Sequence, residues 1–376
     1  MTVGIVKEPH TENRVSLLPE QSALLIKQKV NVLVENDAGL RAFATNERYA
    51  AQGCALASRK EILQRADIIL SIHPFTNDDL ADIQPNAIVL GVYQPLHNYA
   101  LMQIFAAKKL TTFSIDMIPR TTRAQSMDVL SSQANIAGYK AVILAASLYP
   151  KYFPMLMTAA GSIAPAKVLI LGAGVAGLQA IATARRLGAV VEVFDTRPAV
   201  KEEVMSLGAK FIEVEGAADA STAGGYAVEQ TEVYKQKQQQ KIAEAAVKAD
   251  IIITTAQIPG KLAPLLITED SLQVMKHGSI IIDLAAATGG NTAKTVNDET
   301  IQYKGVTIVG NSNLASTMPS DASKMYGKNI FNFLQLLINK EGVFNLNFED
   351  DLVKGTCITY NGEVVNERVS VIMNAI

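Results

Sequence analysis

The residues best suited to bind a ligand form a glycine-rich turn, Gly172-Ala-Gly174-Val-Ala-Gly177. The turn follows the apolar run Lys167–Leu171, which predicts a strand, and it opens a predicted helix at Val175–Leu187. The first glycine would allow a tight turn, the second the approach of a pyrophosphate, and the third close packing of helix and strand. The unpaired N–H groups and the dipole of the helix N-terminus also favour phosphate. Because the motif alone is weakly specific, an ordinary glycine-rich turn is the alternative.

An acidic residue after the next predicted strand, Ala189–Phe194, indicates which dinucleotide the turn accepts. Asp195 follows Gly177 by eighteen residues, close to the roughly 20 residues expected in an NAD-binding βαβ unit. Its carboxylate would accept hydrogen bonds from the adenosine ribose hydroxyls and repel a 2′-phosphate. The sequence therefore predicts NAD(H) rather than NADP(H), and Arg197 is the one nearby residue that could weaken this preference.

A second group of polar residues, Arg120, Gln125, Asp128 and Ser131, lies between two series of predicted strands. We expect this position to lie at a cleft between two domains, where α/β proteins often bind their ligands. Within twelve residues the side chains offer donors and acceptors for an amide, ribose hydroxyls and phosphates. A polar connection between domains, stabilised by its own hydrogen bonds, is the alternative.

A third feature is the segment Thr222-Ala-Gly-Gly225-Tyr226, which follows a stretch of small residues from Glu213 onward. Paired glycines before an aromatic residue are suitable hinges for a lid that closes over a ligand. A plain surface loop is the alternative interpretation.

Residues for acid–base or metal chemistry are scarce. The histidines, His10, His73, His97 and His277, have no ligand-like spacing with cysteine or carboxylate residues, so we predict no metal site. His73 and His97 lie near the carboxyl ends of predicted strands and are the candidates for a general acid or base. A histidine held by a neighbouring backbone group explains each of them better.

Short apolar runs alternate with longer amphipathic ones, which is typical of βα units and a parallel sheet. Beside the strands already named, the predicted strands are Val3–Val6, Val30–Val34, Ile68–Ile72, Ala87–Val92, Leu110–Ile115, Lys210–Ile212, Ile251–Thr255, Ser279–Leu284 and Val306–Val309. Further helices are predicted from Pro19, from Ser58, over Ser132–Leu148, as an exposed helix between Tyr226 and Lys248, and over Ala322–Asn339.

This pattern predicts an α/β fold with two Rossmann-like domains, each with a mostly parallel sheet, separated by a cleft. The first domain would comprise residues 1–131 and 322–376. It would be discontinuous because the helix over Ala322–Asn339 returns to it. The second domain, residues 132–321, would bind NAD(H).

The composition excludes several classes of function. Of the 376 residues 49% are hydrophobic, and Lys+Arg 34 against Asp+Glu 36 leave no basic excess for nucleic acid. The longest weakly charged stretch, Ala141–Ala166, contains Lys151 and three prolines, so we do not expect it to span a membrane. The first thirty residues are too charged for a signal peptide. Cys54 and Cys357 are interpreted as packing residues in a reducing compartment.

Strings along nearly the whole chain resemble those of a known family. They are Val3-Gly-Ile-Val-Lys-Glu8 with Arg14-Val15, Ser126-Met-Asp-Val-Leu-Ser-Ser132, Asn135-Ile-Ala-Gly-Tyr139, Thr158-Ala-Ala-Gly161, Gly172–Ile181, Thr222–Ala227, Thr254-Thr255 with Ile258-Pro-Gly-Lys261, and Gly289-Gly-Asn291. In these strings the chain resembles the NAD(H)-binding component, domain I of the α subunit, of proton-translocating NAD(P) transhydrogenase. It resembles alanine dehydrogenase, which shares the fold, more distantly.

The resemblance implies roles for individual residues. In the family, a loop that matches Arg120, Gln125, Asp128 and Ser131 holds the nicotinamide ribose, the carboxamide and the phosphates, and its glutamine is thought to bridge toward NADP(H) on a partner domain. Tyr226 matches a tyrosine that closes over the nucleotide. Other family contacts with NAD(H) match the turn residues Gly172, Gly174, Val175 and Gly177, the segment Asp195, Thr196 and Arg197, and also Gly225 and Gln238.

Some positions depart from the family patterns. Gln257, which we include among the cofactor-binding residues, stands where the transhydrogenase component has leucine, so one nucleotide contact is expected to differ. His73 and Gln94 stand where alanine dehydrogenase has its substrate lysine and catalytic histidine, although Arg14 is kept. The resemblance to the dehydrogenase therefore lacks the acid–base partner that imine chemistry needs.

The resemblance thus implies the NAD(H)-binding half of a hydride-transfer enzyme. Hydride would pass directly between C4 of NADH on this chain and C4 of NADP⁺ on a separate NADP-binding component, while protons cross the membrane through a membrane-spanning component. Arg120, Gln125 and Asp128 would be the catalytic residues, acting by positioning. We expect a homodimer, peripheral to the cytoplasmic side of the inner membrane through its partners. The alternatives are a self-sufficient amino-acid dehydrogenase and a non-catalytic NAD(H) sensor.

Overall fold

The computed structural model describes residues 1–214, 231–258 and 260–374 of the chain. Its strands are β1 (Thr2–Ile5), β2 (Asn31–Glu35), β3 (Ala55–Ala57), β4 (Ile68–Leu70), β5 (Ile88–Gly91), β6 (Thr111–Ser114), β7 (Leu156–Thr158), β8 (Gly161–Ile163), β9 (Lys167–Leu171), β10 (Val190–Phe194), β11 (Lys210–Phe211), β12 (Ile251–Thr254), β13 (Ile280–Asp283), β14 (Glu299–Tyr303), β15 (Val306–Gly310), β16 (Cys357–Tyr360) and β17 (Glu363–Val364). Its α-helices are α1 (Pro19–Lys27), α2 (Asn46–Ala51), α3 (Arg59–Arg65), α4 (Asn77–Asp82), α5 (Tyr99–Ala107), α6 (Val129–Leu148), α7 (Val175–Arg186), α8 (Lys201–Ser206), α9 (Glu232–Ala246), α10 (Glu269–Gln273), α11 (Pro319–Leu337), α12 (Asp351–Thr356) and α13 (Glu367–Asn374). Short 3₁₀ helices cover Leu40–Ala42, Ile115–Met117, Thr122–Met127, Pro198–Val200, Ala286–Thr288 and Leu314–Thr317.

The chain divides into two compact α/β units. The first comprises Met1–Gln133 and Ser316–Ile376, and the second comprises Ala134–Ala315. The predicted fold class, two α/β units with mostly parallel sheets and a discontinuous first unit, is confirmed. The domain bounds predicted at 131/132 and 321/322 stay predictions.

The sheet of the first unit has the doubly wound strand order β3-β2-β1-β4-β5-β6, extended at one edge by β16 and β17. The strands β1 to β6 pair in parallel, whereas β16 pairs antiparallel with β6 and β17. In β4, Ile68 and Leu70 join the core on one face and Ile69 joins the core on the other. Because both faces are covered, the strand is a continuous apolar run rather than an alternating one.

The second unit repeats this plan with the order β11-β10-β9-β12-β13-β15-β14. Its strands pair in parallel except for β14, which runs antiparallel to β15. Ile251 and Ile253 of β12 pack in one cluster and Ile252 in the other, so this sheet is also buried on both faces. The order reverses between β9 and β12, and this is the switch point at which such sheets bind ligands.

Helix starts with capping signals were predicted well. A helix begins at Pro19 as expected, and Ser58 with Glu61 forms the predicted capping box at the start of α3. The prediction that the long helix begins at Ser132 was wrong, since α6 begins at Val129 directly after Asp128. The predicted last helix begins earlier, at Pro319, and is not the last, because α12 and α13 follow it.

Two long helices, α6 and α11, raise the question of membrane insertion. Among the residues that the structure describes, no helix combines the length and hydrophobicity needed to cross a bilayer.

Candidate nucleotide-binding site

The glycine turn lies at the switch point of the second unit. It connects β9 to α7, and the neighbouring strand β12 ends at Thr254, beside it in the sheet. The backbone N–H of Gly172 donates to the carbonyl oxygen of Phe194 in β10, at 2.8 Å. The turn is therefore tied to the strands on both sides of β9, at the carboxyl edge of the sheet.

The three glycines of the turn meet different surroundings. Gly172 has φ +104°, a left-handed conformation that favours glycine. A Cβ built on Gly177 would lie under 3.0 Å from the carbonyl oxygen of Gly172, so only glycine lets α7 start this close to β9. A Cβ on Gly174 would meet no described atom within 4 Å, although Gly174 is the N-cap of α7. The open space in front of the helix N-terminus lies where a pyrophosphate was predicted to approach.

The first helical residue supports the same interpretation. Val175 is 40% exposed at the start of α7, although it is apolar. The helix continues inward with Gly177, Ala180 and Ile181, which are buried. The N-terminus of α7 thus combines unpaired N–H groups with an exposed apolar side chain, which suits a ligand with phosphate and ring portions.

Asp195 has a structural role that the sequence did not indicate. Its Oδ2 accepts the backbone N–H of Ala173, inside the glycine turn, at 2.7 Å. The same carboxylate accepts the backbone N–H, Nε and Nη2 of Arg197 at 2.8, 2.9 and 2.8 Å. Asp195 therefore shapes the turn and pairs with Arg197, so ribose hydroxyls would have to share or replace these donors. The predicted bond to the ribose stays a prediction.

The remaining predicted contacts of the second unit are spread around the turn. Gln257 follows β12, is exposed, and donates from Nε2 to the carbonyl oxygen of Leu284 at 3.0 Å. Gln238 is half-buried on α9, and Thr196 is half-buried next to Asp195. Gly225 and Tyr226, the predicted hinge and lid, lie outside the described residues.

Arg120, Gln125, Asp128 and Ser131 belong to one loop of the first unit, which contains the 3₁₀ helix Thr122–Met127. The structure places Arg120 and Gln125 at the surface, while Ala124 and Met127 are buried in the core. The loop therefore turns its apolar residues inward and keeps its long polar side chains exposed. Its expected position at a cleft stays a prediction.

Asp128 and Ser131 are bonded to each other. Asp128 accepts the backbone N–H of Ser131 at 2.9 Å and its hydroxyl at 2.6 Å. Asp128 thus caps the first turn of α6, as an acidic residue before a helix commonly does. For these two residues the structure includes the self-bonded polar connection considered as the alternative.

Side chains far away in the sequence hold the loop from behind. The carbonyl oxygen of Ser126 accepts the Nδ2 groups of Asn329 and Asn332, both at 2.9 Å, from α11. Arg123 binds the carboxylates of Asp350 and Asp351 at the start of α12, with Nη1 to Asp350 Oδ2 at 2.8 Å. The backbone on each side of Gln125 is therefore fixed, although Gln125 itself is exposed. Sequence reasoning missed these supports.

The switch point of the first unit, between β1 and β4, is filled by the chain's own charged side chains. Glu12 accepts Arg14 Nε at 2.8 Å and Nη2 at 2.7 Å, and it binds His73 Nε2 at 2.9 Å. Arg14 Nη1 donates to Gln133 at 2.8 Å. The expectation that a backbone group holds His73 was wrong, because its ring pairs with a buried carboxylate. His97 is exposed.

The two carboxylates of this cluster have opposite pKa shifts. Burial raises the pKa of Glu8 to about 7, although the N–H groups of Ile72 and His73 bond to it. Burial alone would also raise the pKa of Glu12, but the hydrogen bonds from Arg14 and His73 hold it well below its usual range. Glu12 is thus a permanent anion and Glu8 a group that titrates near neutrality.

Glu8 predicts a pH-dependent stability. Because its pKa is raised from 4.5 to about 7 in the folded chain, its favourable contribution is full below the lower value and is lost as the pH rises through the higher one. Relative to a Glu8→Gln variant, we expect the free energy of unfolding of the wild type to fall by on the order of 2–3 kcal/mol between about pH 5 and about pH 8. Chemical denaturation at both pH values measures this. Parallel pH profiles of the two chains would contradict it.

Metal chemistry finds no support in this part of the molecule. In residues 1–214, 231–258 and 260–374 there is no group of three or more His, Cys, Asp or Glu side chains arranged to hold an ion.

The comparisons with known proteins agree with this geometry. The family models "Alanine dehydrogenase/PNT, N-terminal domain" and "C-terminal domain" match residues 4–137 and 141–367. The chain is 45% identical to the first of the polypeptides that form the NAD(P) transhydrogenase subunit alpha of Rickettsia prowazekii, over 97% of this chain and 96% of that protein. The crystal structure of transhydrogenase from Sinorhizobium meliloti is similar with a TM-score of 0.88 and 43% identity, covering 97% of this chain and 100% of that one.

Alanine dehydrogenase is a more distant relative. The enzyme of Staphylococcus haemolyticus is 25% identical over 98% of this chain and 95% of its own length. The chain therefore belongs to the alanine dehydrogenase/PNT family and, within it, to the subunit alpha of NAD(P) transhydrogenase rather than to the dehydrogenases.

Proposed function

We propose that this chain is the NAD(H)-binding component of a proton-translocating NAD(P) transhydrogenase. The observation that carries the proposal is the glycine turn at the switch point of the second sheet, in a chain whose relatives at 45% identity are transhydrogenase alpha subunits. The open space before Gly174 and the bonded Asp195 fit a dinucleotide better than an ordinary turn, because an ordinary turn needs neither.

The chain's own residues would bind and orient the cofactor. The N-terminus of α7 would hold the pyrophosphate, and Asp195 would take the adenosine ribose. Arg120, Gln125, Asp128 and Ser131 would hold the nicotinamide half. NAD(H), when bound, supplies or accepts a hydride at C4, and the side chains have no proton to move in that step.

Positioning is then the main catalytic contribution. Direct transfer requires the two reacting carbons within about 3–3.5 Å of each other, and a misplacement of about 1 Å costs roughly a hundredfold in rate. The supports behind Gln125, from Asn329, Asn332 and Asp350, suit this demand because they fix the backbone of an exposed loop.

The partners follow from the names of the relatives. A separate component would bind NADP(H), and a membrane-spanning component would conduct protons. The chain would act as a homodimer, attached through these subunits to the cytoplasmic side of the inner membrane. NADP(H) would not bind to this chain.

A self-sufficient amino-acid dehydrogenase is the second candidate, and the first unit disfavours it. Arg14, the residue shared with alanine dehydrogenase, is already bonded to Glu12 and Gln133. A substrate carboxylate would have to displace Glu12, which is fully buried. We therefore expect no turnover when the purified chain is given NAD⁺ and a panel of small amino acids.

Gln125→Ala should slow hydride transfer far more than it weakens NADH binding. We expect the transfer rate to fall roughly 10- to 100-fold, because the side chain orients the nicotinamide toward the partner's cofactor. The affinity for NADH, by fluorescence titration, should change by less than about threefold. Gln84→Ala, at another exposed glutamine, is the control. An affinity loss as large as the rate loss would contradict the bridging role.

Binding preference tests the proposal before any partner is added. The purified chain should bind NADH and leave NADPH largely free in parallel titrations. If it binds neither, or turns over an amino acid with NAD⁺, the proposal fails. If it binds NADH but stays silent when the NADP-binding component is added, the NAD(H) sensor is the better interpretation.

A further inference from the structure

Asn291 is a fully buried residue whose side chain contacts the loop after β12. Its Oδ1 accepts the backbone N–H of Ala256 at 3.2 Å, and its Nδ2 donates to the carbonyl oxygens of Ala256 and Pro264 at 2.9 and 2.8 Å. Both polar groups of the Ala256 backbone are thus held by one amide. A side chain that bonds in this way replaces the missing strand partner of a loop.

The backbone of Asn291 is held equally well. Its N–H donates to Asp283 Oδ2 at 2.7 Å, and its carbonyl oxygen accepts the N–H groups of Leu266 and Ile267, both at 2.9 Å. Asp283 is fully buried and also accepts the hydroxyl of Thr295 at 2.6 Å. Because a buried network with its groups bonded resists movement, Asn291 is a rigid anchor.

The loop that Asn291 holds is joined to the glycine turn. Thr255, the residue before Ala256, donates from Oγ1 to the carbonyl oxygen of Gly172 at 3.1 Å. Gln257, the residue after it, is exposed beside this contact. The bonds therefore run from Asp283 through Asn291 and Ala256 to the first glycine of the turn.

We infer that Asn291 is a positioning residue for the nucleotide site, acting through Ala256 and Thr255 on the glycine turn without touching the ligand. This inference rests on the proposed function, since it assumes that NAD(H) binds at that turn. Asn291 fixes how far the loop after β12 stands from Gly172, and with it the width of the site at the switch point.

Asn291→Ala should weaken NADH binding roughly tenfold, because loss of buried hydrogen bonds frees the loop. Asn291→Asp keeps the shape but turns an acceptor toward the carbonyls of Ala256 and Pro264, so it should weaken binding at least as much. Asn366→Ala is the matched control: Asn366 is also buried, and its amide bonds the carbonyls of Gly355 and Cys357 in the first unit. It should lower the melting temperature as Asn291→Ala does and leave NADH affinity unchanged.

Two results would overturn the inference: NADH affinity kept in Asn291→Ala, or lost to the same degree in Asn366→Ala. Thr255→Val covers the case in which the Asn291 variants do not fold, since it removes only the hydroxyl that bonds Gly172. It should weaken NADH binding by roughly threefold to tenfold, and an unchanged affinity would count against the route. Wild type that does not bind NADH would instead refute the proposed function.

Discussion

Gly177→Ala is expected to abolish measurable NADH binding and to lower stability. The new Cβ would lie under 3.0 Å from the backbone oxygen of Gly172, so α7 must move away from β9. Overpacking of this kind costs about 1–3 kcal/mol, and the displaced helix N-terminus no longer faces the phosphates. NADH titration and thermal unfolding of the same samples measure both effects.

Gly174→Ala is the matched comparison, because it should separate the two effects. Its backbone has φ −77° and ψ −168°, which alanine adopts readily, and the added methyl group meets no described atom within 4 Å. Stability should therefore stay within about 0.5 kcal/mol of wild type, while NADH binding weakens because the methyl group lies where the pyrophosphate approaches. Normal NADH affinity in Gly174→Ala would show that the phosphates bind elsewhere.

Asp195→Ala should weaken NADH binding and reverse part of the cofactor preference. The change removes the acceptor of the Ala173 N–H and the partner of Arg197. Hydrogen bonds to a charged group are worth about 1.5–3 kcal/mol, which corresponds to roughly 10- to 100-fold in affinity. The released guanidinium of Arg197 would then be available for a 2′-phosphate, so NADPH affinity should rise.

The double variant Asp195→Ala with Arg197→Ala identifies the source of the NADPH gain. It should lose NADH affinity as Asp195→Ala does and gain none for NADPH. Competitive titration with both nucleotides measures the four affinities. If NADH binds equally to wild type and Asp195→Ala, Asp195 is not part of the site.

The core of the fold was predictable from local pattern. Parallel strands buried on both faces, such as Ile68–Leu70 and Ile251–Thr254, read as short apolar runs. Edge strands were missed because they lack this signal. β14 is mostly exposed, and β17 has only two residues. No local pattern shows that β16, near the C-terminus, pairs with β6.

The candidate site was predictable where residue type and chain direction define it. The glycine turn and its place between β9 and α7 followed from spacing. The partners of Asp195 and the supports behind Gln125 did not, since Asn329 is separated from Ser126 by 203 residues. Hydrogen-bond partners so far apart depend on packing, which one sequence does not reveal.

Transfer of label from C4-deuterated NADH tests the central claim most directly. The purified chain is mixed with its NADP-binding partner component, NADP⁺ and deuterated NADH in ordinary water, with Asp195→Ala as the weakened control. Direct transfer predicts that NADPH forms with the deuterium at C4, and that the control forms it more slowly at the same NADH concentration. NADPH that carries hydrogen from water, or no NADPH while NADH is demonstrably bound, would contradict the account.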